Sequence, residues 1–389
     1  SELARNSVNI HIVNREAVEW LVYFWKEAWP YRTVIIDELS SFKDYTSKRF
    51  KALAKVRNTP GMITRFHGLA AMPAAEGYEG LFAQICLRGG GKRLGKNITA
   101  YRDEHCVYNK YSREYKLRPN GEAPLLAKIA DICMVMQARD YLKRDAPTIL
   151  QRKVKLDKPH MDLIRKLERD FLITMPNGAE IEAKTAACLT SMLLQMASGC
   201  LYETLRVEDW DTDDLKKVKK VHHIHEHKID ALREIYEDAQ NAGEPLLVAY
   251  FFKSSLARLL KAFPKAPVYK EGESIKAWNK GEIPMLLIHP QSCQFGLNLQ
   301  HGGHILIFFD LVWSLEYYTQ TIGRIDRQGQ TKPVIVQLLI AEGTRDEDVS
   351  EALTAKEDVQ EKMFVILKRL IAKLRRGPEK QAQFADVAL

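Results

Sequence analysis

Two short stretches of this sequence hold residue types that could do chemistry together. In "VIIDELSSFK" (34–43), Asp37 and Glu38 follow the apolar or β-branched run Thr33–Ile36, where a strand should end. Ligands of parallel sheets sit just outside the carboxyl ends of the strands. A carboxylate pair at such an exit can hold a magnesium ion, here through Asp37 and its water shell, and can polarise an attacking water, here through Glu38. A strand that merely ends in charged residues would read the same way. In "QTIGRIDRQGQ" (320–330), Gln320, Arg324 and Arg327 fall at i, i+4 and i+7, one face of a helix. The arginine fork is planar, always charged and binds oxyanions at two points. Aimed at a transferring phosphoryl group, such arginines are worth about 10³ to 10⁵ in rate. A salt-bridged surface helix, with Asp326 partnering the arginines, would have the same spacing.

The elements that must position these residues are visible as patterns. "VNIHIV" (8–13) and "YRTVIIDE" (31–38) read as strands around the helical "REAVEWLVYFWKEAW", a strand–helix–strand opening that favours a parallel sheet. Near the other end, "PLLVAYF" (245–251), "PMLLIHP" (284–290), "HILIFFD" (304–310) and "PVIVQLLIA" (333–341) are short apolar runs separated by mostly helical patterns, which describes a second doubly wound α/β domain. The helix after "HILIFFD" should be capped by Ser314, carry Glu316 in its first turn and stop near Gly329. Residues 105–230 read as mostly helical, broken by a small hairpin at "ITMPNGAEIE". Beyond Lys356, the stripe Val359, Met363, Leu367, Leu370, Ile371 and Leu374 marks an amphipathic helix docked on a neighbour. The expected organisation is therefore a first α/β part at 1–104, a helical insertion at 105–230, a second α/β domain at 231–355 and a C-terminal helix and tail at 356–389.

Composition sets the bounds. With 389 residues and 46% hydrophobic content, the chain can bury two or three domain cores. A formal net charge of +8 suits a nucleic-acid partner without requiring one. The six cysteines show no CxxC spacing, which speaks against a disulfide framework or zinc knuckle and for a reducing, cytoplasmic setting. No apolar run approaches the roughly 18 to 20 residues of a spanning helix, so no membrane role is expected.

"VNIHIVNREAVEWLV", "VIIDELSSFK", "LLQMASGCLYE", "SCQFGLNLQ" (292–300), "WSLEYYTQTIGRIDRQGQ" and "EGTRDEDV" (342–349), in this order, resemble the Swi/Snf-type ATPases of helicase superfamily two, most closely the compact versions of phages and bacteria. The resemblance covers nearly the whole chain. It implies an α/β fold of two RecA-like doubly wound lobes closing on ATP and Mg²⁺, with double-stranded DNA across both and hydrolysis driving translocation along the duplex. It makes Asp37 the metal residue and Glu38 the water-activating one in motif II. Gln320, Arg324 and Arg327 become the motif VI residues, and Gly296, Leu297 and Asn298 the motif V loop that couples nucleotide to DNA. If the chain is phage-encoded, the setting is the host cytoplasm.

The departures are as informative. The family's phosphate loop, Gly-x-x-x-x-Gly-Lys-Ser/Thr, should precede the carboxylates, and the 36 residues before Asp37 hold no such pattern. "GGKRLGKN" (90–97) matches at Gly90, Gly95 and Lys96, but Asn97 stands where the magnesium-binding hydroxyl belongs, and the run follows the carboxylates. One βαβ unit takes roughly 30 residues, so the phosphate-loop strand and helix do not fit before Asp37. The first lobe is expected to be N-terminally incomplete, the sequence beginning at Ser1 to be truncated, and the missing cradle to come from an upstream segment or a protein partner. Little or no ATP hydrolysis is expected from the chain by itself. Motif III carries Ala70, Ala71 and Met72 where relatives have two hydroxyls and a glycine. An alternative reading follows: a nucleic-acid- or protein-binding module on a degenerate helicase scaffold. A metal nuclease lacks further ligands. "HHIHEH" (222–227) offers His223 and His227 around Glu226, and is expected to serve a surface or capping role more than a metal.

Overall fold

The computed structural model describes residues 10–75, 77–110, 114–137, 140, 145–175, 177–208, 215–270, 273–294 and 297–375. The chain divides into two units, 1–136 with 356–389, and 137–355.

The first unit contains α1 (Val18–Trp25), β1 (Thr33–Ile36), α2 (Lys48–Asn58), β2 (Arg65–Gly68), α3 (Glu79–Gly89), α4 (Ile98–His105), β3 (Cys106–Asn109), β4 (Glu114–Leu117) and α5 (Glu122–Ala127). Strands β1 and β2 run parallel with Thr33 opposite Arg65 and Ile36 opposite Gly68, and form a two-stranded sheet. Helix α2 starts at Ser47, whose hydroxyl accepts from the Phe50 amide. Its apolar positions Phe50, Leu53 and Val56 recur every third residue and bury against Phe42, Phe66 and Leu87. Arg57, in its last turn, donates to the carbonyls of Ile63, Leu87 and Arg88, which ties the end of α2 to the end of α3.

The expected opening strand is not there: residues 10–14 have no strand assignment, while 8 and 9 lie outside the described residues. Alternating apolar and polar residues suit a strand, but a strand exists only where another supplies its ladder. Ile10 and Ile12 are instead 79% and 95% exposed. "GGKRLGKN" follows a helix and not a strand. Gly90 ends α3 in the left-handed region, and the Asn97 side chain accepts from the Ala100 amide to cap α4. The run is a turn between two helices, and its final side chain is already committed.

The second unit contains β5 (Thr148–Val154), α6 (Lys158–Asp170), β6 (Leu172–Thr174), β7 (Glu180–Glu182), α7 (Ala186–Ala197), β8 (Cys200–Glu208), β9 (Leu215–His223), α8 (His227–Asn241), β10 (Leu246–Ala249), α9 (Lys253–Ala262), α10 (Glu273–Asn279), β11 (Met285–Ile288), β12 (Ile305–Phe308), α11 (Leu315–Ile322) and β13 (Ile335–Ala341). Its main sheet has the order β11-β10-β12-β13-β5, every pair parallel. All four residues of β10 and of β11 are buried, as continuous apolar strands covered on both faces should be. On one face Val248, Leu287, Ile307 and Leu339 pack with Ile229 and Leu232 of α8 and Leu259 of α9. Side chains alternate along a strand, so Phe308 points to the other face, where its ring meets Tyr318 of α11 at 5.0 Å between centroids. The unit is a doubly wound α/β fold. Each wholly buried Leu or Ile in it contributes about 1.5 to 3 kcal/mol.

Residues 105–230, read above as mostly helical, hold seven strands beside α5, α6 and α7 among the described residues. The edge strand β5 completes the large sheet, and β8 pairs with β9 over nine residues as an antiparallel ribbon. The hairpin at "ITMPNGAEIE" is present as β6 and β7. The final helix, α12 (Arg345–Arg375), runs longer than the stripe that announced it. Within the first unit, Met363 and Leu367 are buried with Leu81, Tyr101 and Leu126, and Val359, Leu370 and Ile371 pack around them, while Leu374 is exposed.

Candidate functional site

The carboxylates stand at the end of β1. The Leu69 amide donates to the Ile36 carbonyl at 2.9 Å and the Leu39 amide to the Leu69 carbonyl at 2.6 Å, so the exit of β1 is stitched to the exit of β2. Leu39 is buried, and Gly68 makes room for it: a Cβ there would lie 2.3 Å from Leu39 Cδ2. Between these fixed points the chain must turn sharply, and Glu38 does so at φ 55°, ψ 57°. A left-handed residue other than glycine costs on the order of 1 to 3 kcal/mol and persists where its surroundings enforce it, often at functional sites. Asp37 is exposed, and its Oδ1 accepts from the Glu38 amide at 3.1 Å. Glu38 is partly buried, and its Oε1 accepts from the Ser40 hydroxyl at 2.8 Å. An exposed hard-oxygen ligand beside an oriented second carboxylate fits a hydrated magnesium ion and a polarised water.

The arginine segment differs from the expected geometry. Ser314 caps α11 by accepting from the Tyr317 amide, and Glu316 lies in the first turn, as expected. The helix then stops at Ile322, with Gly323 as its C-cap. Only Gln320 is helical. Arg324 lies in the following turn, and Arg327 lies beyond it, so the three do not share one helical face. Turn hydrogen bonds replace the helix, from the Asp326 amide to the Ile322 carbonyl and from the Gln330 amide to the Arg327 carbonyl. Gly329 is left-handed at φ 99°.

What replaces the helical face is a clasp between two loops. Arg327 Nη1 donates to Asn298 Oδ1 at 2.7 Å and to the Leu297 carbonyl at 3.1 Å. The Leu299 amide donates to the Arg324 carbonyl at 3.1 Å. Gln330 Nε2 donates to the carbonyls of Gln300 and Gly303, each at 2.9 Å. The structure therefore brings Asn298 and Arg327 into direct contact while leaving the arginine exposed. Gln320 is partly buried, and its Oε1 has no hydrogen-bond partner. Gly296 lies outside the described residues. Asp37 and Glu38 belong to the first unit, and Asn298, Gln320, Arg324 and Arg327 to the second.

Several supporting residues were not found by sequence reasoning. Gln330 is one, and a glutamine in a polar loop gives no periodic signal. Asp310, at the end of "HILIFFD", is buried and accepts from the amides of Phe251 and Phe252 and from the Ser255 hydroxyl, fixing the loop after β10. Lys228 is wholly buried, 2.6 Å from Asp346 Oδ2 and 3.2 Å from the Phe309 carbonyl. Burial pushes the Asp346 carboxyl upward despite the ammonium beside it. Asp346 lies in the matched segment "EGTRDEDV", so its presence was legible, but its pairing with Lys228 was not. Trp278 is buried and donates from Nε1 to the Leu299 carbonyl at 2.8 Å; Gly302 leaves it room, since a Cβ there would lie 2.4 Å from the indole. At motif III, Met72 is buried, and the Ala74 amide donates to Gln360 Oε1 at 3.1 Å.

No protein-family model matches the chain. Among curated proteins it is 33% identical over 384 residues to protein p41 of Acyrthosiphon pisum secondary endosymbiont phage 1, covering 94% of this chain and 79% of that protein. It is 24% identical over 270 residues to an ATP-dependent helicase of Mycoplasma genitalium, covering 66% of this chain but 25% of the helicase. Over 91 residues it is 32% identical to the SWI/SNF-related matrix-associated actin-dependent regulator of chromatin subfamily A-like protein 1 of Drosophila melanogaster, covering 23% of this chain and 12% of that protein. The chain thus spans only a small part of these two larger relatives.

Proposed function

Because the chain belongs to the family of the phage protein p41 and is related to the Swi/Snf-type ATPases of helicase superfamily two, we propose that it is the core of a DNA-dependent ATPase that translocates along double-stranded DNA. The observation that carries this reading is the acidic pair at the exit of a parallel strand, held in a left-handed turn. Asp37 would hold Mg²⁺ through its water shell, and Glu38 would take the proton of the attacking water. Arg324 and Arg327 would stabilise the charge growing on the γ-phosphoryl group, with Gln320 beside them. Asn298 would hold Arg327 in place, and Gly296 would let the motif V backbone approach closely. Bound ATP and Mg²⁺ supply the reacting phosphoryl group and its charge neutralisation.

The phosphate cradle is not among the described residues, since "GGKRLGKN" joins two helices. We assign it to a segment or partner that completes the first lobe. The two-stranded sheet supports this, because Ile35 on it and Leu69 just after its second strand are 66% and 58% exposed. The chain alone should therefore turn over ATP slowly. The reading favours a cytoplasmic site of action: no helix among the described residues is long and apolar enough to cross a membrane, and Cys86, Cys106, Cys133, Cys188 and Cys200 are free thiols. The test is ATP hydrolysis by the chain joined to a Swi/Snf-type phosphate-loop segment, with and without duplex DNA. Stimulation by DNA that Glu38→Gln abolishes is expected. Absence of stimulation, with Glu38→Gln indistinguishable from the parent, would refute the motor.

A further inference from the structure

Away from the acidic and arginine residues, three imidazoles and a carboxylate converge in the second unit. Asp157 is the N-cap residue of α6, His160 lies in that helix's first turn, and His227 is the first residue of α8. One ligand atom from each of the three can be chosen so that all lie within 4.8 Å of one another. His227 Nε2 is 3.2 Å from Asp157 Oδ2. The rings of His160 and His227 are 5.5 Å apart, and that of His225 lies 5.5 Å from the first and 5.1 Å from the second. From these residues we propose a binding site for a divalent transition metal of zinc's coordination preference, with Asp157, His160 and His227 as its protein ligands.

Three observations separate this site from an ordinary histidine–aspartate pair. The Nδ1 atoms of His160, His225 and His227 are all buried and all lack a hydrogen-bond partner, a rare state for polar atoms unless something else satisfies them. His225 is itself buried, and its Nε2 faces the Met196 carbonyl at 3.0 Å. A carbonyl only accepts, so the proton sits on Nε2 and Nδ1 keeps its lone pair beside the other two rings. Finally, nearby positive charge is already neutralised: Arg258 pairs with Glu226 at 3.0 Å and Lys228 with Asp346 at 2.6 Å.

Imidazole and carboxylate together select zinc and its neighbours over magnesium or calcium, which want oxygen alone. Two histidines and one carboxylate leave a fourth tetrahedral position for water. Ligand atoms around zinc stand about 3.3 Å apart for bonds near 2 Å, so small side-chain rotations would close the present spacing. His223 takes no part; it is exposed and pairs with Glu226 at 3.3 Å. The "HHIHEH" run thus contributes His227, while its two other ligands come from "DKPH" (157–160), which has no conspicuous metal pattern.

The experiment is a zinc titration of the purified chain against the chromophoric chelator 4-(2-pyridylazo)resorcinol, repeated with cobalt(II) for its visible spectrum. The expected result is one zinc per chain. Asp157→Asn and His160→Gln should each weaken binding by at least about ten-fold, the low end of what even outer-shell partners cost, while His223→Gln leaves it unchanged. Asp157 is exposed, so its variant should keep the fold, which circular dichroism checks. Absence of stoichiometric binding, unchanged affinity in both Asp157→Asn and His160→Gln, or a cobalt spectrum with thiolate charge-transfer bands would overturn the assignment.

Discussion

The two units hold charged side chains beside a parallel sheet with unequal means. In the second unit five parallel strands support loops that clasp each other through Arg327, Asn298 and Gln330. In the first, two strands support Asp37 and Glu38, and the turn between them is strained. A complete sheet lets hydrogen bonds position an arginine at little conformational cost. A thin one has to force its carboxylate into place by covalent geometry and one buried leucine.

This contrast can be broken or sharpened experimentally. The largest effect should come from Arg327→Ala in the chain supplied with a phosphate-loop segment, where DNA-stimulated turnover should fall about 10³- to 10⁵-fold. Single-turnover hydrolysis measures it, and a loss of only a few-fold would demote the clasp to a purely structural role. Next, Lys228→Met should strand Asp346 as a buried, unpaired charge and destabilise the second unit by about 3 to 5 kcal/mol, read from urea midpoints. A shift below 1 kcal/mol would mean that water already reaches the pair. Smaller still, Glu38→Gly should raise the stability of the first unit by roughly 1 kcal/mol by removing the left-handed penalty, while ending ATP turnover. Destabilisation instead would contradict the strain argument. The smallest effect concerns pH. Burial lowers the pKa of His105 in the first unit and of His304 in the second, so both folded sites favour the neutral ring. Their contribution to stability is full above the unfolded value of about 6.5 and declines as pH falls through it. His304→Gln should flatten the fall in the urea midpoint between about pH 7.5 and 5.5; an unchanged slope would assign that fall to other groups.

Much of this was legible because burial on both faces writes itself into sequence as unbroken apolar runs. Strands β10 to β13 lie within the four predicted segments for that reason. Strand β5, "TILQRKV", escaped because an edge strand with mostly exposed side chains has no such run. The β8–β9 ribbon carries no apolar run either, since its second strand reads "LKKVKKVHH". The strand expected at 8–13 went wrong in the opposite direction over its described residues 10–13, since alternation was present without a partner strand. In the candidate site, residue types and order were readable, yet the clasp was not. Helical spacing suggested one face for Gln320, Arg324 and Arg327, and Gly323, the signal that the helix stops, sat in plain view between them.

The indole of Trp278 gives the second unit an internal optical gauge. Its Nε1 bond ends on Leu299, next to Asn298, so any departure of that loop from its seat must first release the ring to a more polar environment. With the other five tryptophans replaced by phenylalanine, emission from this one would follow the loop at 297–300 in solution, and would do so without a label.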